Sequence, residues 1–179
     1  MRISLCNEVI RELPIERQFA FARKIGYDGL EIAPFTLGEE PHLLPAAQRM
    51  QIRSAARDAG MAITGLHYLM LAPKGLSITS RDAAQRARSV DVMRRLCDLA
   101  ADLGAQVLVH GSPAQRQLES GKEAEGRNYG TECFAAVADA AAKAGVTYCI
   151  EPLAPADTQF VNTVWRRPRR SCGPLPVRR

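Results

Sequence analysis

One unit that occurs four times constrains the fold of this chain most: an amphipathic helical stretch, a glycine, a short β-rich run, then a polar residue and a loop. The instances are Gly26 followed by YDGLEIAP, Gly60 by MAITGLHY, Gly104 by AQVLVHGSP and Gly145 by VTYCIEP. A glycine at a helix end suits the left-handed C′ position. The runs that follow are rich in Val, Ile, Leu and Tyr, as buried strands are.

The helices carry their own signals. Pro14 suits a first turn, with Ile15, Phe19, Ala22 and Ile25 on one face. Ser80 is placed to cap a long helix in which Ala83, Ala87, Val90, Met93 (or Leu96) and Ala100 keep the helical period up to Leu103. The alanine-rich stretch from about Asn128 to Ala144 reads as a fourth helix. With MRISLC as the first strand, the order is β-α-β-α-β-α-β-α-β, which predicts parallel strands joined by right-handed crossovers. An open dinucleotide-binding sheet needs a glycine-rich phosphate cradle in its first turn, and SLCNEVIRELP has no glycine. The expectation is therefore α/β: the N-terminal five strands and four helices of a (β/α)8 barrel, truncated against the roughly 250 residues of a full one.

A formal charge of +5 suggests an acidic partner until it is mapped. Residues 165–179, WRRPRRSCGPLPVRR, hold six arginines and no acid, whereas residues 1–164 hold 18 basic and 19 acidic side chains. The body is near neutral, so no nucleic-acid partner is expected. The division is a partial barrel over 1–164 and an Arg/Pro-rich aberrant tail over 165–179, expected to be disordered. The tail reads as out-of-frame translation of a GC-rich gene. The other two frames beyond the Val164 codon are expected to encode a helix and then strands bearing Asp, His and Glu.

No run approaches the roughly 18 apolar residues that span a membrane, and the charges in MRISLCNEVIRELPIER interrupt any signal-peptide core. Five scattered cysteines without a CxxC pair argue against a disulfide framework and against a zinc cluster. A cytoplasmic protein with reduced thiols is expected.

In barrels the C-terminal ends of the strands carry the active site. Glu31, His67, His110 and Glu151 stand there on the second to fifth strands. Alternation puts Thr147, Cys149 and Glu151 on the barrel interior, and Val146, Tyr148 and Ile150 toward the helices. The same reading turns Gly65 and His67 inward, against Thr64 and Leu66, and Leu108 and His110 inward, against Val107 and Val109. Two imidazoles and a carboxylate are thus expected at one mouth, a set suited to divalent metal binding or proton transfer. Glu151 is the strongest candidate, because a carboxylate ending a buried strand is costly unless paired or metal-bound. His42, in PHLLP, reads as an exposed loop residue.

GYDGLEIAP, the GLH ending of the third strand, LVHGSP with Gln115 and Arg116, and CIEPLAPADTQFVNT together resemble the sugar phosphate isomerase/epimerase family. That family lies in the xylose isomerase-like TIM-barrel superfamily, with hydroxypyruvate isomerase, tagatose epimerase and endonuclease IV, and the resemblance runs from about Met1 to Val164. It implies that Glu151 binds a divalent metal (Mn, Mg, Co or Zn) and acts as one of two acid/base groups. It also implies that His67, His110, Asp157 and Glu31 contact a sugar or sugar-phosphate substrate, and that Asn162 and Thr163 begin the next helix. In the endonuclease branch, similarly placed histidines bind zinc. The implied reaction removes a proton next to a carbonyl and passes through an enediolate.

The family's other metal ligands, an aspartate, a histidine and a second glutamate, come from strands six to eight. The short chain is accordingly expected to be inactive and to self-associate through open barrel edges. An apurinic endonuclease would want a basic groove for phosphates, which the neutral body disfavours. A non-catalytic half-barrel completed by a partner chain is the remaining alternative.

Overall fold

The computed structural model describes residues 1–164, and the tail expected to be disordered lies outside the described residues. The strands are β1 (Ser4–Cys6), β2 (Gly29–Ile32), β3 (Ala62–His67), β4 (Val107–His110) and β5 (Thr147–Ile150). Between them run α1 (Ile15–Lys24), α2 (Ala46–Asp58), α3 (Ala83–Leu103) and a pair, α4 (Glu123–Ala135) and α5 (Ala138–Ala144). Short 3-10 turns occupy Asn7–Ile10, Pro34–Leu37, Pro41–Leu43 and Ala114–Arg116.

All five strands are parallel and stand in chain order, β1-β2-β3-β4-β5. A doubly wound sheet reverses its strand order once, which sends helices to both faces. Here nothing reverses, and crossovers of one hand place every helix on the same side. α2 packs between α1 and α3, and α3 packs against α4 and α5, so the helices form one continuous layer. The core lies between that layer and the sheet. Leu30, Ile32, Leu66 and Leu108 meet Phe19, Ala22, Met93, Leu96 and Leu99, all of them fully buried.

The glycines behave as the repeats predict. Gly26, Gly60, Gly104 and Gly145 have φ of 98°, 64°, 80° and 69°, a region costly to any residue with a Cβ.

Three local expectations are corrected. The helical stretch before β5 is two helices, not one. Val137 is buried at the break, and the Arg94 guanidinium donates to the Ala136 carbonyl at 2.9 and 3.2 Å, satisfying a group that a continuous helix would have bonded internally. α3 begins at Ala83, with Asp82 as its cap accepting from the Ala84 amide at 2.8 Å, while Ser80 accepts from the Asp82 amide at 3.1 Å. In the first half of α3, Ala87 is exposed and Ser89 is fully buried, because the Ser89 hydroxyl bonds the Ser77 backbone at 3.0 and 3.1 Å.

Candidate active site at the strand ends

Cross-strand partners in a ladder share a face of the sheet, so the register sorts the side chains. One row runs Cys6, Glu31, Gly65, Val107, Thr147, and the next runs His67, Val109, Cys149. Both rows lie on the face away from the helices. The opposite face carries Leu66, Leu108 and Tyr148. Glu31 and His67 therefore stand on the inner face, and Glu151 follows Cys149 by one period onto it.

A register shift between Leu30 and Glu31 breaks the alternation in β3, leaving Thr64 exposed while Leu66 is buried. Glycines keep the space above these side chains open. A Cβ at Gly65 would come within 3.4 Å of Glu31 Oε1. A Cβ at Gly111 would overlap the Glu151 carboxylate and come within 3.7 Å of His67 Cε1. The Glu151 carboxylate, just past β5, and the His67 ring at the end of β3 thus both border Gly111.

His110 does not join them. It pairs in register with Ile150 on the helix side, is wholly buried, and has its ring 5.0 Å edge-on from Phe134 of α4. Its Nδ1 lies 2.9 Å from the Tyr148 hydroxyl. Burial, helped by the nearby Arg116 charge, pushes its pKa down to about 3. The expectation of two imidazoles at one mouth fails because both residue sets in VLVH are apolar enough to be buried, so alternation alone cannot choose between them. His42 is a second correction. The Pro41–Leu43 turn packs on α3, leaving His42 6% exposed, and burial lowers its pKa.

Arg116 was legible only as part of a motif. It is fully buried and donates to the Glu151 carbonyl at 2.7 Å, and its Nε and Nη1 have no partner among the described residues. Burial lowers its pKa and the Glu151 carboxylate opposes that shift, so a buried cation sits beside the strand-five carboxylate.

The segment after β5 is fastened to the same turn. Thr158 donates to the Arg116 carbonyl at 2.9 Å, and Gln117 donates to the Asp157 carbonyl at 2.6 Å. Phe160 stacks on Phe134 at 6.3 Å over the space that Gly130 leaves. The Asn162 amide folds back onto the carbonyls of Leu153 and Thr158, at 2.9 and 2.6 Å. Asn162 and Thr163 therefore close a loop rather than open a helix within the described residues. Asp157 is exposed in that loop.

Parallel strands in chain order, one helical layer, and a carboxylate and an imidazole at the strand ends of the other face define a chain of the (β/α)8-barrel class. The profile of the xylose isomerase-like TIM barrel family matches residues 19–168, and the chain belongs to that family. Among solved structures it resembles a D-psicose 3-epimerase determined in the presence of D-fructose, at 22% identity, 91% coverage of this chain and a TM-score of 0.74. D-psicose 3-epimerase from Clostridium cellulolyticum H10, determined with D-tagatose, is 19% identical over 91% of this chain, with a TM-score of 0.72. A protein from Sinorhizobium meliloti 1021 is 27% identical over 87%, with a TM-score of 0.66. The chain spans about half the length of these structures, 56%, 56% and 52% respectively. No curated protein sequence matches it.

Proposed function

We propose that the chain carries the first half of the active site of a sugar or sugar-phosphate isomerase/epimerase, with Glu151 as acid/base group and ligand to a divalent metal. The single observation behind this reading is the Glu151 carboxylate, placed at the strand-five mouth over Gly111 and beside His67. The likeness in fold to sugar epimerases supports it. The donor chemistry fits a divalent cation: the half-buried Glu151 carboxylate lies against Gly111, and a carboxylate suits Mn, Mg, Co or Zn. Such an ion would polarise the substrate carbonyl and stabilise a developing enediolate. Glu151 exchanges a proton with the carbon next to that carbonyl. Arg116 holds the Glu151 backbone and sets a positive charge beside its carboxylate. His67, Glu31 and Asp157 contact the sugar.

One of the two acid/base groups is present among the described residues, so this polypeptide alone is expected to turn over no ketohexose. The reading is tested by joining Met1–Val164 to the complementary half of a D-psicose 3-epimerase. A folded chimera should show metal-dependent exchange of the ketose proton for solvent deuterium by NMR, lost by about a hundredfold or more in Glu151→Gln. Cleavage of abasic-site DNA without sugar exchange would favour the endonuclease reading instead.

A further inference from the structure

The first strand also ends at this mouth, and its donors are unclaimed. Cys6 ends β1, Glu8 lies in the turn that follows, and His67 ends β3. One donor atom from each, thiol sulfur, carboxylate oxygen and ring nitrogen, lies within 4.8 Å of the other two. All three residues are half-buried. Among the described residues, neither the Glu8 carboxylate nor the His67 ring has a hydrogen-bond or ion-pair partner, so both are free to bind.

The surroundings favour a cation. Cys6 is in register with Glu31, so a second carboxylate stands on the same face as the thiol. Burial raises the Cys6 pKa, and the charges of Glu8 and Glu31 raise it further, whereas the Glu8 backbone amide opposes them. The imidazole is held in place by its neighbour: Tyr68 has φ of 58°, uncommon for a bulky residue, and its ring lies 5.7 Å from the His67 ring and 6.2 Å from Phe35.

We propose that Cys6, Glu8 and His67 form a divalent cation site, without Glu151 as a ligand and with the His67 ring turned to the ion instead of the sugar when the ion is bound, that takes zinc or cobalt in preference to magnesium or calcium. Thiolate and imidazole are the donors those softer ions select, whereas magnesium and calcium require an oxygen shell. Three protein ligands with an open fourth position is the arrangement of reactive rather than structural zinc sites. Donors within 4.8 Å of one another can be brought onto one ion, at about 2.0–2.3 Å from each, by side-chain rotation without a change of fold. On binding, the Cys6 S–H bond breaks, a sulfur–metal bond forms and the proton leaves to solvent, so affinity rises with pH. The site stands on its own donor geometry and does not depend on the proposed activity.

Cobalt(II) titrated into the full chain should produce a near-ultraviolet thiolate-to-metal band that saturates at one equivalent and is displaced by zinc. Cys6→Ser should abolish the band, and Glu8→Gln and His67→Asn should weaken binding about tenfold or more. Glu151→Gln should leave the band intact, whether or not the epimerase reading holds. Absence of the band, its survival in Cys6→Ser, or its loss in Glu151→Gln overturns the proposal. The unmodified chain supplies a check that needs no variant to fold. Zinc should slow iodoacetamide alkylation of Cys6 and leave that of Cys149 unchanged, and equal rates with and without zinc at Cys6 would count against the site.

Discussion

The His110 ring sits 2.9 Å from the Tyr148 hydroxyl, its buried Nε2 has no partner among the described residues, and its pKa falls from an ordinary 6.5 to about 3. An unfolded chain takes up this proton as pH drops through 6.5, and the folded chain does not until about 3. The stabilisation is therefore whole above pH 6.5 and is lost progressively as pH falls toward 3. At pH 5 the loss amounts to about 2 kcal/mol. Urea denaturation at pH 7 and pH 5 should show it, and His110→Phe, which cannot titrate, should reduce the pH dependence by that amount. An equal pH dependence in the variant would show that the ring does not titrate in this way. Histidines were easy to find in the sequence and hard to place. A strand-end imidazole faces either the mouth or the helices, and Phe134 and Tyr148, which decide this for His110, come from elements that follow it in the chain. Cys6 follows SL at the end of the first strand as His67 follows GL at the end of the third, so its place at the mouth is legible in the same pattern.

Elements were legible where one residue type decides the backbone, and less so where side chains compete. The four glycines mark helix ends because left-handed φ strongly favours glycine. Ser80 and Asp82 are both good caps, and nothing in RDAAQ chooses between them before the loop is built. The structure makes Asp82 the acceptor for the Ala84 amide, with Ser80 holding Asp82 in turn. Asp82→Ala should cost about 1 kcal/mol by urea denaturation, and Ser80→Ala, which removes one hydrogen bond to the Asp82 amide, should cost about 0.5 kcal/mol. A larger loss at Ser80 would make the serine the effective cap. The break between α4 and α5 was hidden for a different reason. Alanine favours helix throughout that stretch, and the Arg94 guanidinium that bonds the Ala136 carbonyl comes from α3, 42 residues away.

At the scale of the whole molecule, the helical layer buries one face of the sheet, and the other face is covered by no element among the described residues. Among the described residues β1 and β5 each pair on one side only, whereas a closed barrel would pair them on both. Ile3 beside β1 is 49% exposed and Ile150 at the end of β5 is 38% exposed, so each edge carries an apolar side chain in solvent. Val107, Val109 and Cys149 on the inner face are only half-buried. An open parallel edge beside such a surface recruits whatever strand is nearest, and in a pure preparation that strand belongs to another copy. Sedimentation velocity should therefore show species heavier than the 19.6 kDa chain, increasing with concentration. Ile150→Lys places a charge on the β5 edge without touching the helical core, and should shift the distribution toward monomer. A single boundary at 19.6 kDa, independent of concentration, would mean that the edges are covered from within the chain.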